Sequence, residues 1–94
     1  MKHRPDNVLY HELIGLEIEV VTHSDPTLVG LRGKIVDETM YTLRVLDKVK
    51  GRLRIVPKLY GVFRLRLPDG VVVEVDGSLI VGRPEDRLKR LRYR

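Results

Sequence analysis

Cysteine and tryptophan are both absent from this 94-residue sequence, and phenylalanine occurs once. Without cysteine there is no disulfide framework, no thiolate metal site and no cysteine nucleophile, which fits a reducing, cytoplasmic setting. With so few aromatic side chains, stacking platforms for unpaired bases are scarce. Uninterrupted apolar runs are four residues or shorter, too short for a membrane-spanning helix. The opening MKHRPDN has neither the apolar stretch nor the small-residue cleavage site of a secretory signal. What is there suffices for one modest core and not for two. Hydrophobic residues at 43% and charged ones at 33% describe a folded chain rather than a disordered one.

A catalytic constellation is also missing. The histidines are His3, His11 and His23, and no carboxylate stands at metal-ligand spacing from any of them. His23 reads as a polar residue at a strand end. Asp37 and Glu38 are the only adjacent acids outside the C-terminal segment. Neighbouring strand residues point to opposite faces, so these carboxylates diverge, and turn chemistry is the simpler reading. Gly30 and Gly33 match no phosphate-cradling loop. The sequence therefore implies no catalytic residue, no metal ligand, no cofactor and no small-molecule substrate.

Charge is distributed unevenly. Residues 83–94 hold six of the eighteen Lys and Arg residues against only Glu85 and Asp86, a net +4 out of +5 for the whole chain. Such a segment repels itself and is useful mainly where a polyanion neutralises it, which points to nucleic acid. Arg83, Arg87, Lys89, Arg90 and Arg92 are the leading candidates for phosphate contact.

The body of the chain has period two. Leu16–Val20, Phe63–Leu67 and Val71–Val75 alternate, with weaker versions at 31–36, 43–45 and 53–55. Six short, evenly spaced strands read as an all-β, small antiparallel barrel. Pro68-Asp69-Gly70 supplies a hairpin turn, and Ser24-Asp25-Pro26 ends the first strand. The ends read as helices. Pro84, Glu85 and Asp86 suit a helix N-terminus and the later basic residues suit its C-terminus, giving a basic helix over 84–94. At the other end Asp6 or Asn7 can cap a short helix within 1–15, carrying Val8, Leu9, Leu13 and Ile14 as an apolar strip for the barrel or a partner. The chain is thus one domain, 1–94, with the barrel over 16–76.

The strand cations present a choice. If Leu53 and Ile55 face inward, Arg52 and Arg54 face out; Phe63, Leu65 and Leu67 facing inward likewise put Arg64 and Arg66 outside. These four, with Lys34, could form a phosphate-binding wall, because guanidinium forks onto phosphate oxygens. The alternative is a solvated wall balanced by Glu17, Glu19 and Glu74, whose exposed ion pairs contribute about 0–1 kcal/mol each.

His11-Glu-Leu-Ile-Gly-Leu16, Ser24-Asp-Pro26 with Leu28-Val-Gly30, Gly33-Lys-Ile-Val-Asp-Glu-Thr39, Val56-Pro57 and Val81-Gly-Arg-Pro-Glu-Asp-Arg87 together resemble the archaeal-type ribonuclease P protein component 1. These blocks run in order over nearly the whole chain. The resemblance implies an Sm-like (or SH3-like) antiparallel barrel with short helices at both ends. It implies a non-catalytic subunit of the ribonucleoprotein that removes 5′ leaders from precursor tRNA, with catalysis left to the RNA and its magnesium ions. The implied partners are ribonuclease P RNA, the zinc-ribbon subunit and the other ribonuclease P proteins, and no membrane. On the residues alone two other readings stay open. One is a generic Sm-like RNA-binding module, ring-forming or ribosomal. The other is a protein-interaction module whose charge confers only solubility.

Overall fold

The computed structural model describes residues 13–83. Val8, Leu9 and most of both expected terminal helices lie outside that range; within it, residues 13–15 form a turn rather than helix. Six strands follow: β1 (Glu17–His23), β2 (Arg32–Glu38), β3 (Thr42–Asp47), β4 (Leu53–Pro57), β5 (Gly61–Arg66) and β6 (Val72–Asp76). Short 3-10 turns occupy Pro26–Leu28 and Gly77–Ile80. All pairings are antiparallel, in one sheet ordered β4-β3-β2-β1-β5-β6.

The alternation seen in the sequence becomes burial. Ile18 and Val20 on β1, Ile35 on β2, Leu43 and Val45 on β3, and Phe63 and Leu65 on β5 are all 3% exposed or less. Outward neighbours stay wet because strand side chains alternate faces. The turns follow their chemistry as well. Asp25 caps the first 3-10 turn by accepting the Thr27 N–H at 3.0 Å. Gly70, with φ near 90°, supplies the left-handed residue between β5 and β6.

One expectation about register is overturned. On β4 it is Val56 that is buried, while Leu53 and Ile55 are 51% and 57% exposed. β4 is an edge strand, covered on one side only by β3, and the core takes its opposite phase: Arg54 is half-buried on that side and Lys58, just beyond, is fully buried.

The sheet is strongly curled. In a flat sheet β1 and β4 are three strand spacings apart, about 14 Å. Yet the His23 ring at the end of β1 bonds the Pro57 carbonyl at the end of β4 at 2.9 Å. Irregularities at Val20/Thr22 and Ile35/Asp37 bend β1 and β2 where this curl needs it. The two edges also meet at one end. A Cβ on Gly77, just after β6, would fall onto the Lys58 carbonyl just after β4. No ladder joins β4 to β6 among the described residues, so the observed architecture is a curled, six-stranded antiparallel sheet. Its concave side is filled by the core, and Leu13, Leu16, Leu28, Leu31 and Ile80 contribute to that filling. Packed structure therefore runs from Leu13 to at least Ile80, beyond the 16–76 span read from the sequence.

Where the edges meet, a buried ion pair fastens three segments. The Lys58 ammonium, 0% exposed, donates to Glu38 Oε2 at 2.7 Å, to the Thr39 carbonyl at 2.8 Å and to the Gly82 carbonyl at 2.9 Å. A buried charge is tolerable only when paired and fully hydrogen-bonded, and these three acceptors match the three ammonium protons. The Gly82 N–H donates in turn to the Met40 carbonyl at 2.7 Å. The chain is thus held at the point where its basic C-terminal segment begins.

Candidate nucleic-acid interface

The exposed cations divide by the company they keep. On the outer wall of β1, β5 and β6, register sets Glu17 opposite Arg66, Glu19 opposite Arg64 and Arg64 opposite Glu74. Arg64 reaches Glu74 at 3.3 Å and Glu19 at 3.9 Å, while Arg66 reaches Glu17 at 3.4 Å. Lys48, in the β3–β4 loop, bonds Glu17 at 2.8 Å. The Lys48 ammonium, helped by Arg66 and Lys34, holds the Glu17 carboxyl below the usual glutamate range. This wall is charge-neutralised within the protein. Phosphate contact by Arg64 or Arg66 would have to displace a carboxylate already in place.

The wall of β2, β3 and β4 differs. Arg32 and Lys34 on β2, across the ladder from Glu19 and Glu17, and Arg44 on β3 are exposed on the outer face, Arg52 before β4 is exposed on the other, and none of the four forms an ion pair among the described residues. Asp37 stands across the ladder from Arg44. Its carboxylate accepts the Glu38 N–H at 2.8 Å instead of pairing with Arg44. Asp47 is similarly committed, accepting the N–H groups of Val49 at 2.8 Å and Lys50 at 3.1 Å. The Lys50 and Val49 bonds hold the Asp47 carboxyl below the usual aspartate range. Arg54, half-buried and turned to the inner phase, lies near enough to Asp25 and Asp47 to lower both, without a direct ion pair.

Of the residues expected to bind RNA, then, Arg64 and Arg66 sit together on the neutralised wall. Lys34 sits on the cationic one, Arg52 and Arg54 share the opposite face, and Arg83 is exposed at the end of the described chain. Arg87, Lys89, Arg90 and Arg92 lie outside the described residues. The sequence reading left out Arg32 and Arg44. The phase that puts Leu43 and Val45 inside also puts Arg44 outside, so the signal for it was present. Of the expected partner strip, Leu13 is 0% exposed and belongs to the core, whereas Ile14 remains 38% exposed.

His23 is a structural rim residue. Its Nδ1 accepts the Asp25 N–H at 3.0 Å, which leaves Nε2–H to donate to Pro57. Asp37 and Glu38 diverge as expected, but Glu38 turns inward to Lys58 and does not serve a turn.

Comparison with known proteins agrees with this architecture. The family described as Ribonuclease P/MRP, subunit p29, matches residues 6–90. Ribonuclease P protein component 1 of Desulfurococcus amylolyticus is 51% identical over 83 residues, covering 88% of this chain and 89% of that protein. Its counterpart in Methanocaldococcus jannaschii is 49% identical, covering 92% and 88% respectively. A solved structure of a homologue of a human RNase P protein superposes with a TM-score of 0.60 at 44% identity, covering 82% of this chain and 97% of that one. With the match extending over most of its length, this chain belongs to the Ribonuclease P/MRP subunit p29 family and is a ribonuclease P protein component.

Proposed function

We propose that the chain is a non-catalytic, RNA-binding subunit that stabilises ribonuclease P RNA for 5′-leader removal from precursor tRNA. The observation that carries this reading is the unequal pairing of its cations. One wall is neutralised by its own carboxylates, whereas Arg32, Lys34, Arg44 and Arg52 are exposed and form no ion pair among the described residues. The C-terminal segment adds six more cations against two acids.

The role is electrostatic. RNA segments crowd phosphates together, and cations that displace condensed counterions lower the magnesium needed to hold the fold. The backbone beneath the strand cations is already ordered, so meeting phosphate costs side-chain rotamer freedom but no ordering of the sheet. The RNA supplies the chemistry in this reading. Magnesium acts on the RNA, and the chain itself needs no cofactor. The zinc-ribbon subunit of the same particle is the proposed protein partner, engaged by the N-terminal segment through Val8, Leu9 and Ile14.

Precursor tRNA cleavage tests this directly. The chain alone should cleave no RNA, with or without divalent metal. Added with the zinc-ribbon subunit to ribonuclease P RNA, it should lower the magnesium concentration at which leaders are removed. Nuclease activity that follows the isolated chain through purification would overturn the proposal. So would a magnesium requirement that the chain leaves unchanged.

A further inference from the structure

The parity of the β3–β4 ladder decides which backbone groups of β4 face away from the sheet. Asp47 N–H donates to the Arg52 carbonyl and Lys58 N–H to the Tyr41 carbonyl, both at 2.8 Å. With Val45 opposite Arg54 and Leu43 opposite Val56, residues 52, 54, 56 and 58 exchange bonds with β3. In an antiparallel pair the alternate residues point their N–H and C=O groups the other way. Those residues are Leu53, Ile55 and Pro57. Pro57 has no N–H, and its carbonyl is already taken by His23.

Leu53 and Ile55 therefore present a short open edge with no ladder partner among the described residues, and their side chains are exposed too. The opposite edge of the sheet is guarded. Leu67 N–H donates to the Val71 carbonyl at 2.8 Å, so the same parity turns Val72, Glu74 and Asp76 outward on β6, two of them carboxylates. Charged residues on an edge strand discourage pairing with another chain. On β4 the outward Leu53 and Ile55 carry no charge, and Pro57 guards only the far end of the strand.

We infer that the Leu53–Ile55 edge of β4 docks an extended segment of a partner protein in which apolar residues alternate with carboxylates. An added strand would place alternate side chains beside Leu53 and Ile55 on the outer wall. The intervening ones would fall beside Arg52 and Arg54 on the other face. Cross-strand pairs are favourable when apolar meets apolar and opposite charges meet, which fixes the alternation. A second copy of this chain fits less well: pairing about Arg54 sets Arg54 against Arg54, and pairing about Ile55 sets Leu53 against Pro57, which has no N–H and whose carbonyl is taken by His23. RNA offers no ladder of N–H and C=O groups and nothing to cover Leu53 and Ile55. The proposal is independent of the RNA-binding reading.

The test uses the full chain and the synthetic peptide acetyl-Glu-Val-Glu-Val-Glu-Val-Glu-amide, with a second version N-methylated at its three valines, whose N–H groups face β4 when valine lies opposite Leu53 and Ile55. The unmodified peptide should protect the Leu53 and Ile55 amides from hydrogen exchange, and the methylated one should not. Ile55→Pro removes an outward donor and no bond to β3. It should weaken binding about tenfold or more, through a lost hydrogen bond and lost apolar contact. Ile55→Lys keeps the backbone intact, restores a guarded edge and should weaken binding in the same way. The inference fails if saturating peptide leaves both amides unprotected, or if the methylated peptide binds as well as the plain one. It fails equally if single-stranded oligouridylate, and not the peptide, protects those amides, which would give the edge to RNA.

Discussion

Replacing Lys58 with methionine perturbs the point on which the curl of the sheet depends. Methionine keeps roughly the length of the side chain and removes its charge. It takes the ammonium away from the Glu38 carboxylate, 1% exposed, and from the Thr39 and Gly82 carbonyls. Removing one partner of a buried ion pair costs about 3–5 kcal/mol, mostly because the survivor is left uncompensated. For a domain of this size each kcal/mol lowers Tm by about 4–8 °C, so the variant should melt roughly 12–40 °C below the parent. Replacing both partners with apolar residues, Lys58→Met with Glu38→Leu, should recover much of that loss, because no buried charge then remains. Far-UV circular dichroism in denaturant titrations is the suitable assay, since the chain has no tryptophan to report by fluorescence. The reasoning is refuted if Lys58→Met alone costs less than about 1 kcal/mol, the worth of an ordinary exposed pair. It is refuted also if the double variant loses as much as the two single ones combined.

Other consequences follow from the same structure. Ile18→Ala and Leu65→Ala, at positions 3% and 0% exposed, should each cost about 2–5 kcal/mol in denaturant titration. Glu17→Ala, half-exposed one residue out of phase, should barely move the midpoint. Gly77→Ala should cost about 1–3 kcal/mol or more by overpacking, since its Cβ would meet the Lys58 carbonyl and, at 2.9 Å, the Phe63 ring. Acid should destabilise the fold in a definite direction. Asp47, Asp76 and Asp25 are held below the usual aspartate range by N–H and hydroxyl donors of Lys50 and Val49, of Ser78, and of Thr27 respectively. A carboxyl with a depressed folded-state pKa adds stability that is fully present above its unfolded pKa and is lost as pH falls through the folded one. Stability should therefore hold near neutrality and decline below the ordinary aspartate range. Asp47→Asn should flatten that decline as followed by thermal melts against pH.

How far the sequence could be read depended on how local each cause is. All six strands, the break at Ser24-Asp25-Pro26 and the Gly70 turn came from neighbouring residues, and each is where the pattern put it. On β4, by contrast, Arg52-Leu-Arg-Ile-Val-Pro57 puts apolar residues in both phases. Hydrophobic count favours Leu53 and Ile55 inside. The structure buries Val56 instead, because the path that carries Lys58 to Glu38 fixes the phase from outside the strand. Nothing near Lys58 distinguishes it from a solvated lysine, since its partner is twenty residues away and meets it only after β2, β3 and β4 have paired. The same limit applied to the candidate site. Composition showed the excess of positive charge, but only the folded sheet shows that Glu17, flanked by both Arg66 and Lys34, pairs with Arg66 and Lys48, and that Asp37, across from Arg44, turns to the backbone instead.

The central claim, that the chain's excess positive charge, concentrated in residues 83–94, carries the RNA, is most directly tested by the salt dependence of binding to ribonuclease P RNA. Each phosphate contact contributes about 0.7–1 to the slope of log affinity against log salt. Replacing Arg87, Lys89, Arg90 and Arg92 with alanine should flatten that slope by roughly 3–4 units if all four touch phosphate. Replacing Arg64 and Arg66, already held by Glu17, Glu19 and Glu74, should leave it within error of the parent. A slope that survives the first set of substitutions and collapses with the second would contradict the account.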